Sequence, residues 1–494
     1  MQLPFGEWLP DQPDHLNPGA TVATNVFHAQ SSYKPVKGLV AYSGASNVTQ
    51  NAKGAGSFRD NTNTVFTFVG TKDNIYKLTS GTFASVKGSC TVSGGDIDFF
   101  TFTQFGQFVI ASNGVNPPMY YEMGTSTNFA TLQSLASASG SGTVPAKFKT
   151  SGVIRDFLVT GNIENAKNRV AWSGINDIST WEAGVSSSDT QDLPGSGGQI
   201  VAITSGEVGY IFREDSILRM DFVGGNVVFR FSVLSPNRGA VYGQTVCQDN
   251  RQVFFYASDG FFQINGDQIL PIGAEKVNRF FEQDLNKAFT DRITAAVDPF
   301  NTLAIWLYPS KDNPNTTGIC DKLLIYNYVT QKWSIAKVKA SQIFKQFVVA
   351  NTVELMDIIS ENLDDINISL DTAFWTTGHL YLGAIDENFK AAIFSGKNLE
   401  AELETKEQEI FPGLRANITG VRPIVDASAN VTIKTRDRLV DTVTTSASSS
   451  MNDTGINPVR QSGRYFRANV KIPAESIWTN AQGIDLTASQ GGSR

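Results

Sequence analysis

One recurrence limits what this chain can fold into. Strand-like stretches with alternating apolar and polar residues return again and again, each separated from the next by a short polar turn. "TVFTFVGTKDNIYKLTSGTFASV" (64–86) sets the pattern: Val65, Thr67 and Val69 share one face, Thr-Lys-Asp-Asn makes a turn, and "IYKL" and "TFASV" follow as two further strands. Comparable units carry Tyr76, Tyr120, Trp172, Leu218, Phe262, Ile325 and Tyr381 at one shared strand position, with steps of 44, 52, 46, 44, 63 and 56 residues. Repeats of about 40–50 residues with four strands each are the signature of β-propeller blades. A single blade cannot bury both of its faces, so the units must stack around an axis. The reading is an all-β chain with six or seven divergent blades over residues 61–396, against the alternative of an array of generic β-sandwiches.

Composition agrees with this. Charged residues make up only 18% of the chain, while Gly (43) and Phe (33) are abundant, which suits strands joined by tight turns. At 494 residues the chain is also too long for one core. The rhythm stops near residue 397, where "LEAELETKEQEI" (399–410) concentrates charge. The alternating strands beyond it, "RANITGVRPIVDASANVTIKTRDRLVDTVTTSAS" (415–448) and "GRYFRANVKIPAESIWTNAQGIDLTAS" (463–489), read as a C-terminal β-sandwich platform over 397–494. Its arginines Arg436, Arg438, Arg464 and Arg467 are read as exposed and able to pair with acidic surfaces of a partner.

Residues 1–60 are expected to form an extended arm and the first strands. Pro10, Pro13 and Pro18 forbid a helix or a central strand at the start, yet Phe5 and Trp8 sit among them. These two aromatics are candidate anchors, either in a partner's pockets or on the chain's own propeller. Thr21 to Val26 is the candidate for an N-terminal strand that completes the last blade. "AEKVNRFFEQDLNKAF" (274–289) is the clearest helix, with Val277, Phe280, Phe281 and Leu285 on one face. "SASGSGTVPA" (137–146) reads as an exposed loop, and the acidic run at 351–367 as a solvated face.

Reactive chemistry is sparse. His15, His28 and His379 are the only histidines, and none has metal-ligand spacing. There is no Gly-x-Ser-x-Gly elbow and no phosphate-binding Gly-Lys loop. "SGINDISTW" (173–181) approaches an Asp-box turn but lacks its Gly, so Asp177 and Trp181 read as a blade turn. Cys90, Cys247 and Cys320 are too few and too scattered for a disulfide framework. No cofactor, metal or catalytic residue is expected. The net charge of −7 argues against a general nucleic-acid binder. No run approaches the ~18 apolar residues of a membrane span, and no secretory leader opens the chain.

Three stretches together resemble a family of bacteriophage virion proteins: "FGEWLPDQPDHLNPGATVATNVFHAQSSYKP" (5–35), "GFFQINGDQILPIGAEKVNRFF" (260–281) and "SGRYFRANVKIPAESIWTNAQGIDL" (462–486), with the final Arg494. The family is the tail nozzle (tail hub, or packaged-DNA stabilisation) proteins of short-tailed phages. The resemblance implies a homo-hexameric ring in the phage tail of the virion, with a propeller and a β-rich platform in each subunit. Such a ring sits below the portal and adaptor proteins, encloses and closes the path of double-stranded DNA, and carries tail fibre, spike or needle proteins. The competing reading is a peripheral tail spike or fibre that binds or cleaves host glycans; a third is a cytoplasmic propeller serving as an interaction platform.

Overall fold

The computed structural model describes residues 1–492 except 16, 42–47, 80, 226, 315–317 and 348–379. Five separate four-stranded antiparallel sheets come first: Ala55 to Ser85, Thr101 to Thr131, Phe148 to Asp192, Ile200 to Ser235 and Cys247 to Pro271. A sixth blade is made by Thr294–Asp298, Leu303–Tyr308, Cys320–Asn327 and the first part of Lys332–Phe347. That last strand does not stop at the blade edge. It passes a register shift between Ala340 and Gln342 and becomes the innermost strand of a seventh blade with Leu380–Asp386 and Ala391–Ile393.

The outermost strand of the seventh blade comes from the other end of the chain: Val40–Ala41 pairs with Ile393 and Ala392. The first strands of the blades line one central cavity, and Lys332–Phe347 closes the ring against Ala55–Arg59. The fold is therefore a β-propeller, and the described residues supply seven blades. Six of the seven sequence anchors (Tyr76, Tyr120, Trp172, Leu218, Phe262 and Ile325) fall on the third strand of consecutive blades. Tyr381 falls on the second strand of the seventh, whose fourth strand is borrowed from the N-terminus.

Why the blades stack follows from their faces. Second strands such as Phe157–Ile163 and Leu303–Tyr308 are buried at every position, so both sides of a blade meet protein. Apolar clusters lie between successive blades, for example Phe68, Val109, Tyr121 and Phe129 between the first and second. In that cluster Phe68 meets Tyr121 and Phe129 edge-on at 5.1 and 5.3 Å.

Beyond the propeller, two sheets pack face to face as a sandwich. One holds Gln2–Pro4, Ala481–Gln490, Ala416–Val425 and Asn457–Gly463; the other holds Ala401–Glu404, Tyr465–Ile472 and Asn430–Arg436. Strict alternation places Val431 and Ile433 inside, against Ile418, Val470, Ile484 and Leu486. The sandwich is continuous with the propeller. Val22–Thr24 lies parallel to the sixth blade's outer strand (Thr24 opposite Ile335) and antiparallel to Ala401–Glu404, splicing the two into one hydrogen-bonded sheet. The expectation that Thr21 to Val26 completes the last blade is therefore corrected: that segment is the splice, and Val40–Ala41 is the closing strand.

Two local expectations also change. The helix expected at 274–289 is an α-helix only over Asn278–Asp284, followed by a 3-10 turn over Lys287–Arg292. Val277, Phe281 and Leu285 are buried as the spacing requires, but Leu285 is extended and ends the helix. A short helix that sequence reading missed, Leu132–Ser139, runs into the Ser-rich stretch read as a loop. The acidic run 351–367 and His379 lie outside the described residues.

Candidate functional site

The three segments that carry the family resemblance lie hundreds of residues apart, and they meet in one joint. The arm enters along the last strand of the sandwich: Leu3 faces Ile484, and the Phe5 N–H donates to the Gln482 carbonyl at 2.9 Å. It then crosses to the propeller, where Trp8 packs edge-on against Phe280 with ring centres 5.1 Å apart. Asp11 caps the helix Asn278–Asp284 from outside, accepting the Arg279 N–H at 2.9 Å and the Phe280 N–H at 2.7 Å. Lys276 pairs with Glu7 at 2.6 Å.

The arm holds its shape through the Asn-Pro-Gly turn. The Asn17 side chain accepts from the Gly19 N–H at 2.8 Å, and a Cβ at Gly19 would sit 1.9 Å from the Glu7 carbonyl oxygen, so only glycine fits where the chain doubles back. The next residue donates to that same carbonyl at 2.7 Å.

Phe5 and Trp8 are 5% and 3% exposed, buried in their own chain. As side chains offered outward to a partner they are corrected; of the two alternatives, packing on the chain itself is the one observed. Three of the four arginines read as exposed, Arg436, Arg464 and Arg467, are corrected in the same way. Arg436 pairs with the buried Glu407, and Arg467 bridges to Asp14 of the arm at 3.0 Å while lying 3.7 Å from Glu404. Both carboxylates are covered (side chains 2% exposed), and Glu404 also accepts from Thr21 and Asn469 at 3.0 Å. Arg464 is half-buried, its N–H donating to the Arg436 carbonyl. Arg438 alone of the four stands mostly in solvent, paired with Asp441 at 2.9 Å. The cluster fastens the arm to the sandwich.

The second feature is the propeller channel, a cavity of about 1150 Å³ lined by residues of all seven innermost strands. Its wall mixes hydroxyl and amide groups, among them Ser57, Thr103, Ser151, Thr204, Gln248 and Gln342, with apolar side chains such as Phe58, Phe102 and Val297. Ile97 and Phe99, in the connection between the first two blades, also line it. That connection reaches as far as Arg292, just ahead of the sixth blade's inner strand, so it lies across one mouth.

Titratable groups elsewhere are occupied structurally. His28 is 2% exposed beside Lys332, its Nε2 3.0 Å from the ammonium; burial, then the lysine charge, lowers its pKa to about 4. His15 stacks edge-on against Tyr465. Asp177 accepts from Ser179 and Thr180, and Trp181 donates to the Ile178 carbonyl, which makes the local turn read from sequence. Burial raises the Cys247 thiol to about 12, and Cys90 and Cys320 are buried as well. Among the described residues no three His, Cys, Asp or Glu side chains group as metal ligands, and no helix is long and apolar enough to cross a membrane.

No family model and no curated protein matches the chain. Solved structures similar to it include the extracellular domain of a hybrid two-component system from B. thetaiotaomicron (9% identity, TM-score 0.41), of which the match covers 78% of this chain and 43% of the other. The chain thus spans less than half the length of that first neighbour. The WD40 domain of Neurospora crassa Pan2 is similar at 8% identity and TM-score 0.39 over 74% of this chain and 97% of its own. BBS1N, in a complex with ARL6DN, is similar at 8% identity and TM-score 0.41 over 76% of this chain and 99% of its own. Identities and scores this low carry no argument about function, and the propeller rests on its own sheet topology.

Proposed function

We propose that the chain is a structural protein of a bacteriophage tail, a nozzle subunit that assembles as a ring of six below the portal and adaptor, extends and closes the DNA path, and bears fibres or spikes. The single observation that carries the reading is the joint. The three stretches that resemble the nozzle family, 5–35, 260–281 and 462–486, pack on one another through Asp11, Trp8, Phe280 and Gln482. Their packing together supports reading the three motifs as parts of one three-dimensional element.

The charge fits the role. Six subunits at −7 each make a ring of about −42, and an acidic wall lets phosphates slide past without capture. The propeller's own channel is crossed by the 94–99 connection, so on this reading the duplex runs between subunits. Rigid β modules, locked by the splice at Val22–Thr24, give the walls that a closed heterologous ring needs.

The test is electron microscopy of whole particles decorated with an antibody to this chain. Label on the tail axis with sixfold averages is the expected result. Peripheral label on threefold appendages would make the chain a spike, and unlabelled particles would remove it from the virion altogether.

A further inference from the structure

Two buried cations meet at one mouth of the propeller channel. Arg292 is 9% exposed, and its Nε and Nη1 have no hydrogen-bond partner. Lys53 stands beside it at 3% exposure. Its ammonium lies 4.9 Å from the centre of the Phe99 ring, and the Arg292 guanidinium lies 5.9 Å from the same ring. Two buried cations thus flank one aromatic ring. Burial, then the Arg292 charge, lowers the Lys53 amine to about 8.

The nearby carboxylates do not satisfy these donors. Asp291 lies 3.3 Å from the Arg292 Nε, outside hydrogen-bonding geometry, and Asp98 is turned to the Gly95 N–H at 2.7 Å. The Asp96 carboxylate hangs 4.0 Å from Lys53 and 3.7 Å from Arg292, beyond hydrogen-bond length, with its side chain 79% exposed. Lys53 donates instead to the Asp96 carbonyl. Leaving charged guanidinium donors unmet indoors is costly. A small anion entering between Lys53 and Arg292 would meet them, and Asp96 is free to swing out of its way.

We propose that this mouth is a binding site for a small oxyanion of the phosphate class, held by Arg292 and Lys53 under the 94–99 connection, with Asp96 as the internal competitor. Free phosphate and a phosphodiester present the same oxygens; the buried position favours the free ion.

Isothermal titration of the purified chain with inorganic phosphate, against sodium chloride at equal ionic strength, tests this. A saturable heat with phosphate alone is expected. Asp96→Asn, a change at an exposed side chain, removes the competing charge and should tighten binding about 1.5- to 5-fold, the worth of an exposed ion pair. Lys53→Met should abolish it, with folding checked by circular dichroism. A short DNA oligonucleotide that competes with phosphate would identify the phosphodiester as the source. Phosphate heats equal to those of chloride in both the wild type and Asp96→Asn would overturn the proposal. So would binding left unchanged by both substitutions, which would place the ion elsewhere.

Discussion

Trp8→Ala is the sharpest perturbation of the joint. The indole is 3% exposed and meets Phe280 edge-on at 5.1 Å. A buried aromatic of this size removes about 150–250 Å² from water, worth ~4–6 kcal/mol at ~25 cal/mol per Å². Measured truncations of buried Trp or Phe fall at about 3–5 kcal/mol, because surroundings partly relax. The expected loss is therefore about 3–5 kcal/mol. It is felt first where the arm is docked, through the Leu9 N–H on the Ala20 carbonyl and the Asp11 N–H on the Lys276 carbonyl. Hydrogen exchange resolved at Leu9 and Asp11 is the assay, with urea denaturation alongside. Protection of those two amides should fall about a hundredfold or more. Amides of the second blade, such as Ile110, should hold unless the whole chain unfolds with the arm. If both protection and midpoint stay within about 0.5 kcal/mol of wild type, the arm is not anchored by Trp8 and the account of the joint is wrong.

Other expectations follow the same contacts. Asp11→Ala removes the external cap of Asn278–Asp284 and should cost about 1 kcal/mol by denaturant titration, with Asp11→Asn recovering part of it. Glu407→Ala leaves Arg436 without its buried partner and should lower stability by about 3 kcal/mol or more, whereas the exposed pair Arg438–Asp441 should tolerate Arg438→Ala within about 0.5 kcal/mol. His28 sits at about 4 in the folded chain against 6.5 when free, so only the unfolded chain takes up a proton between those values. Stability should fall as pH drops from about 6.5 to about 4, by the order of 3 kcal/mol, and then level off. His28→Gln should flatten that part of the pH profile.

Deleting residues 1–19 should weaken the free subunit itself, seen as a lowered urea midpoint. A truncated chain as stable as the full one would return Phe5 and Trp8 to the role of partner anchors.

Much of the propeller was legible because a blade is written locally. Hairpin strands such as Val65–Gly70 and Ile75–Thr79 lie side by side in sequence, and period-two alternation needs no distant partner. The step of 63 residues from Phe262 to Ile325 stretches because the helix Asn278–Asp284 and its 3-10 turn are inserted there. What local pattern cannot carry is exchange between the ends of the chain. Nothing around Val40 marks it as the fourth strand of a blade begun 300 residues later, and nothing around Asn278 shows that its helix is capped from residue 11. The arginines were misplaced for a related reason. Sequence displays a charge but not the buried carboxylate opposite it, so Arg436 and Arg467 read as surface when Glu407 and Glu404 had already claimed them. The channel-mouth donors were invisible too, since Lys53, Phe99 and Arg292 meet only once the ring closes.

The use of N-terminal strands by late-made partners has a consequence for synthesis. Leu3, Thr24 and Val40 leave the ribosome long before their partners Ile484, Glu402 and Ile393. At ~5–20 residues per second, the last partner emerges roughly 25–95 s after the strand that needs it. For that interval a segment bearing Phe5, Trp8 and Val22 has nothing to pair with, and a free strand of this kind is a template for the wrong neighbour. Pro4, Pro10, Pro13 and Pro18 interrupt its backbone donors over the stretch where mispairing would be most damaging. The prolines that shape the arm once it is docked are also what keep it harmless while it waits.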